Sequence, residues 1–119
     1  GMTGEKSADG GVMRLKGSVD TLFGSLLTMD RAVANVTNWL TEGLHGTYQN
    51  APVIDPPPNR EEALVITSRL ASGYPAEIMN LRDRLGAIQV GLTADLVLLD
   101  EQLAVRKVWF GGREVSVGE

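Results

Sequence analysis

The sequence predicts an α+β domain, about three helices packed on a small antiparallel sheet. Three observations carry that reading. Apolar residues recur at helical spacing in two stretches, residues 29–40 and 63–71. The period then turns strand-like after Leu85, and a Gly111-Gly112 pair divides the last apolar run into a hairpin. Finally, 119 residues of which 43% are hydrophobic suffice for one modest core. No internal repeat or low-complexity segment interrupts it.

Taken in order, residues 1–10 are polar and glycine-rich and read as a flexible start. Gly1 ahead of Met2 has the form of a cleavage scar left by an expression tag. Residues 11–119 then form the single α+β domain. Within it, residues 11–43 hold a short strand at residues 11–15, a turn and the first helix. Leu22–Leu40 is the organising stretch: a turn around Gly24 feeds a helix with Thr28 at its N-cap, Asp30 in its first turn, and Met29, Ala32, Val33, Val36 and Leu40 on one stripe. At that helix start, Phe23-Gly24-Ser25 sets a glycine and a hydroxyl near backbone N–H groups that lack helical partners, a geometry able to hold a polar or anionic ligand. The same residues equally suit a plain turn.

Residues 44–59 contain four of the five prolines and read as a loop, since proline removes donors and holds the chain extended. His45, the only histidine, lies there without a second ligand at metal-binding spacing and reads as a solvated loop residue, with Tyr48 as a surface anchor. Residues 60–81 are helical. Asn59 and Glu62 form a capping box, Ala63, Ile66, Thr67, Leu70 and Ala71 mark the buried side, and Gly73 is read as the end. Pro75 opens a short third helix to Leu81, with Ile78, Met79 and Leu81 available for packing. Residues 85–119 form a β-meander: Ala94–Leu99 as a strand covered on both faces, a turn at Asp100-Glu101-Gln102, a strand from Ala104 to Phe110, and a return strand from Arg113 to Val117.

Composition excludes several functions. Eleven basic and 15 acidic side chains give a net charge of −4, spread without runs, which argues against nucleic-acid or anionic-membrane partners. With no cysteine there is neither a disulfide framework nor a thiolate metal site, and a cytoplasmic location fits. No apolar run reaches membrane-spanning length.

Three strings carry a resemblance: DTLFGSLLTMDRAV at Asp20–Val33, RLGAIQVGLTADLVLLD at Arg84–Asp100, and VRKVWFGGREV at Val105–Val115. Together they resemble the C-terminal part of N-acetylglucosamine-6-phosphate deacetylases of the amidohydrolase superfamily. The first string points to the deacetylase; the second is shared more widely across the superfamily. The match is poor between Gly43 and Asn59, and the helix before Tyr74-Pro75-Ala76 is about one turn longer than the family pattern.

The resemblance implies the following. The parent reaction is metal-assisted hydrolysis of the N-acetyl group of N-acetylglucosamine 6-phosphate. A (β/α)8 barrel of roughly 250 residues carries its divalent metal (zinc or similar) and its catalytic aspartate, and it does not fit within this length. This segment is accordingly expected to lack catalytic and metal-binding residues and to be inactive alone. Phe23, Gly24 and Ser25 match the segment lining the amino-sugar site, although the family usually has a small residue where Phe23 stands. Asp95 matches a structural position that bonds a turn. Accessory-sheet strands normally covered by other parts of the enzyme would leave exposed edges, and self-association is expected through an edge or an apolar helix face. The alternative is an independent α+β module that binds a protein or a sugar phosphate without catalysis.

Overall fold

The computed structural model describes residues 1–7, 12–17, 22–43 and 53–118. Element order is β1 (Gly4–Lys6), β2 (Val12–Leu15), β3 (Leu22–Ser25), α1 (Met29–Thr41), α2 (Arg60–Ser68), a π-helical turn (Arg69–Gly73), α3 (Tyr74–Ile78), β4 (Leu96–Leu99), β5 (Val105–Phe110) and β6 (Arg113–Val115). The α+β class holds. It is built as two separate three-stranded antiparallel sheets, ordered β1-β2-β3 and β4-β5-β6, rather than one.

The first sheet corrects two expectations. Residues 4–6 are a strand rather than part of a loose start, with Gly4 opposite Leu15 and Lys6 opposite Met13. Leu22–Ser25 is likewise a strand, not a turn: Val12 pairs with Ser25 and Met13 with Gly24. Neither segment has strand-like alternation of its own. Both are held extended by ladder bonds to β2, which lies between them.

Helix α1 begins after Thr28, whose backbone is extended, and ends near Gly43, whose positive φ of 82° is the left-handed conformation that glycine supplies after a helix. Pro57 lies within 3.3 Å of where a Cβ on Gly43 would stand, so the proline segment returns against the end of α1. Pro58 is buried, and the Asn59–Glu62 capping box forms in full. The Asn59 side chain accepts from the Glu62 N–H at 3.0 Å, and Glu62 accepts from the Asn59 N–H at 2.9 Å.

Helical winding does not stop at Gly73. It runs from Arg60 to Ile78, passing through a π turn in which the Tyr74 N–H bonds the Arg69 carbonyl. Pro75 accounts for this physically. It has no N–H and its ring would collide with the carbonyl one α-turn earlier, so a wider register accommodates it where a regular α-helix would not. Gly73 therefore sits in ordinary helical conformation. Asn80, at φ 57°, then turns the chain out of the helix.

In the second sheet Leu96 pairs with Trp109 and Phe110 with Arg113. Gly111 and Gly112 are both at positive φ (57° and 78°), as a two-residue primed turn requires. The Asp95 carboxylate accepts the Gly111 N–H at 2.8 Å and ties the entry of β4 to this hairpin. Asp100 closes the β4–β5 turn by accepting from the Gln102 and Ala104 N–H groups, both at 2.9 Å. One expectation fails: β4 is not covered on both faces, since Val97 is 57% and Leu98 48% exposed.

Packing centres on α1 against α2. Buried apolar residues among those described are Leu40, Pro58, Ala63, Ala76 and Leu103, with Thr37 and Thr67 buried between the helices. The helices thus pack on one another more than on either sheet; Arg60 on α2 reaches the second sheet by donating to the Glu101 carbonyl. Ile78 and Met79 are not packed, at 82% and 69% exposure, and Leu70 on the expected buried stripe is 51% exposed. The radius of gyration is 17.6 Å, against about 13.5 Å for a compact domain of this length. Among the described residues no helix is long and apolar enough to cross a membrane.

Candidate functional site

Strand β3 carries Phe23, Gly24 and Ser25 to the edge of the first sheet, and three residues later the chain enters α1. The pairing slips between Met13 and Arg14: Met13 faces Gly24 while Arg14 faces Leu22, which makes Phe23 the extra residue of a bulge. Bulges bend a strand locally and commonly border functional sites. Gly24 is open, with no atom within 4 Å of where a Cβ would project. Ser25 Oγ accepts the Leu27 N–H at 3.0 Å, holding the link to the helix while its own proton stays free to donate.

The N–H groups at the start of α1 are less available than the sequence suggests. Thr28 occupies the N-cap position but makes no side-chain cap bond. Asp30, in the first turn, is held below the usual carboxylate range, foremost by the neighbouring Thr28 hydroxyl and then by the Arg31 N–H. The helix start is thus served by an anion from within the chain. What this stretch leaves open is the Ser25 hydroxyl proton and the space beside the main chain at Gly24.

No donor set for a metal accompanies this arrangement. Among the described residues no group of three or more histidine, cysteine, aspartate or glutamate side chains could hold an ion, and those residues do not fit the divalent metal that the resemblance implies. Asp95 is committed to the Gly111 hairpin and Asp30 to the helix start. His45 and Tyr48 fall outside the described residues.

Two concavities were not legible in the sequence. A groove of about 640 Å³ runs between the proline segment and α2, lined by Ile54, Pro57, Glu61 and Val65 among others. A smaller polar notch of about 270 Å³ lies at the π turn. Both depend on how the helix meets its flanking segments, which spacing alone does not reveal.

The Amidohydrolase family model matches residues 5–115, nearly the whole chain. The chain belongs to the amidohydrolase family. This amidohydrolase chain is 32% identical over 94 residues to an N-acetylglucosamine-6-phosphate deacetylase of Vibrio furnissii, an alignment covering 79% of this chain and 18% of that protein. It is 36% identical over 45 residues to the deacetylase of the same name from Danio rerio, covering 38% and 11%. The fold matches the N-acetyl-D-glucosamine-6-phosphate deacetylase from Mycobacterium smegmatis with a TM-score of 0.71 at 26% identity, over 98% of this chain and 27% of that one. A single-residue variant of the Mycobacterium smegmatis enzyme, in complex with N-acetyl-D-glucosamine-6-phosphate, gives 0.69 at 27% identity, covering 95% and 24%. The amidohydrolase chain thus spans about a fifth to a quarter of the length of these three longer matches, and it corresponds to a part of such a deacetylase.

Proposed function

We propose that this chain serves as the sugar-site and closing segment of an N-acetylglucosamine-6-phosphate deacetylase, with a barrel on further polypeptide supplying the divalent metal and the general base. The net reaction is hydrolysis of the acetamide: water adds to the carbonyl carbon, the C–N bond breaks, and acetate and glucosamine 6-phosphate leave. The described residues hold no donor set for the metal, so no chemical step is assigned to them. Their part is orientation, with the main chain at Gly24 and the Ser25 hydroxyl contacting the amino sugar and Phe23 belonging to the same sugar-site segment.

The observation that carries this reading is the agreement in sequence and fold with N-acetylglucosamine-6-phosphate deacetylases across most of the chain. Exposed apolar side chains support the need for a covering body: Ile88, Val90, Ile78 and Phe110 are 91%, 101%, 82% and 72% exposed. In the absence of such a body, we propose that a second copy of this chain covers part of this surface. A monomeric mass by light scattering at micromolar concentration contradicts that arrangement. A cytoplasmic location accompanies the proposal and suits a chain without cysteine.

The test is co-expression with a polypeptide carrying the barrel of the Mycobacterium smegmatis deacetylase, followed by measurement of acetate released from N-acetylglucosamine 6-phosphate. The combination is expected to release acetate and the chain alone none. Tight, saturable binding of the sugar phosphate by the chain alone, with no gain from the barrel, points instead to an independent binding module.

A further inference from the structure

The π turn gathers a group of side chains that the deacetylase reading leaves unused. Arg69, Gly73 and Glu77 follow one another at helical spacing on one face of the continuous helix. In a regular α-helix Tyr74, five residues after Arg69, would lie well round the cylinder. Here its N–H bonds the Arg69 carbonyl, and the wider register brings it back beside Arg69. Gly73 keeps a side chain out of the floor of this group, where an added Cβ would come into van der Waals contact with Arg69 Cβ at about 4.0 Å and the Gly86 carbonyl oxygen at 3.8 Å. After Asn80 turns the chain, Arg82 returns to within 3.5 Å of Glu77. These five residues line the notch of about 270 Å³.

Its charge is the reverse of the molecule's. The chain carries −4, while the notch holds two guanidinium groups and one carboxylate. Arg82 is opposed by Glu77, and among the described residues no carboxylate lies within ion-pair distance of Arg69. Guanidinium groups present forked donors matched to oxyanions, and the Tyr74 hydroxyl adds a further donor.

We propose that this notch binds a phosphate-type oxyanion, with Arg69 as the principal contact, Arg82 as the second cation and Tyr74 at the rim. Bound anion displaces Glu77 from Arg82, so Glu77 acts as an internal competitor. The site contains no residue of β3 and stands independently of the sugar-site proposal.

Calorimetric titration of the whole chain with inorganic phosphate, at constant ionic strength against sodium chloride, tests it. Saturable binding is expected, weakened about tenfold in Arg69→Gln, the loss of one charge-assisted hydrogen bond. Glu77→Gln is expected to tighten binding several-fold, a change in the opposite direction that loss of folding cannot mimic. Lys107→Gln removes the same unit of charge on the second sheet and is expected to leave binding unchanged. Phenyl phosphate binding more tightly than inorganic phosphate identifies an ester as the ligand, and the reverse order identifies the free ion. Absence of saturable phosphate binding, an equal loss in Arg69→Gln and Lys107→Gln, or no gain in Glu77→Gln overturns the proposal.

Discussion

Thr37 Oγ1 lies 3.1 Å from Thr67 Oγ1 across the α1–α2 contact, and the two residues are 0% and 2% exposed. Each hydroxyl has one proton. Thr67 gives its proton to the Ala63 carbonyl at 2.8 Å, so Thr37 shares its own between Thr67 and the Val33 carbonyl, also at 2.8 Å. This is a polar link at the centre of the helical packing with every proton placed. Thr37→Val and Thr67→Val should each destabilise by about 1 kcal/mol. The double variant should lose less than the sum, because two valines of similar shape leave neither oxygen unpaired. Urea midpoints for the four proteins measure the coupling, and strict additivity would show that the two hydroxyls do not interact.

The capping box gives a second prediction. Asn59→Ala removes the acceptor for the Glu62 N–H and should lower stability by about 1 kcal/mol. Glu62→Gln keeps an acceptor for the Asn59 N–H and should stay within about 0.5 kcal/mol of the parent. Urea denaturation followed by far-UV circular dichroism distinguishes the two.

Two glycines should respond in opposite ways to alanine. At Gly86 the backbone has φ +91°, and an added Cβ would meet Ala76 Cβ at 2.5 Å and the Ser72 carbonyl oxygen at 3.1 Å. Gly86→Ala combines strain with a clash and should destabilise by about 2 kcal/mol or more. Gly24 has open space, and Gly24→Ala should change thermal stability by under about 0.5 kcal/mol. It is therefore a clean probe of the proposed sugar site: in the reassembled deacetylase it should raise KM for N-acetylglucosamine 6-phosphate while the fold persists. An unchanged KM in a folded Gly24→Ala protein would remove Gly24 from the site.

Asp100 sets a pH dependence. The Ala104 N–H bond, followed by the Arg106 guanidinium (its Nε at 2.7 Å), holds the Asp100 carboxyl below its ordinary value. The folded state therefore binds this proton less readily than the unfolded chain does. The stabilisation is complete above the ordinary aspartate range near ~3.9 and is lost as pH falls through the lower folded value. Asp100→Asn should flatten the acid limb of stability against pH and leave the slope above pH 6 unchanged. Thermal melts between pH 2 and 6 record the difference.

Sequence was most informative where a local rule and the tertiary structure agree. Asn59 and Glu62, Gly111-Gly112 and the turn at Asp100 are each local devices within a few residues, and each forms as read. β1 was not legible because Gly-Glu-Lys has no strand pattern and becomes a strand only through β2. β3 was hidden by Gly24, whose composition suggests a turn. The burial read for Val97 and Leu98 failed because an apolar pattern records what a surface needs, while the cover is not among the described residues. Around the candidate site, the pattern set Gly24 and Ser25 just ahead of α1, where they stand, but it did not show that Thr28 at the N-cap position would make no side-chain cap bond.

The π turn also works as a rotational setting. One residue in a helix advances its face by about 100°, so the extra residue accommodated within Arg69–Gly73 turns everything downstream by that amount relative to α2. Deleting a single residue there would remove the wider register that accommodates Pro75 and swing Ala76 away from Gly86, undoing a close contact on which the path toward β4 depends. Length in this part of the chain is thus less tolerant than identity. Side chains on the exposed face of the helix can change without moving the chain, but a one-residue gain or loss must be matched by a second change that restores the angle.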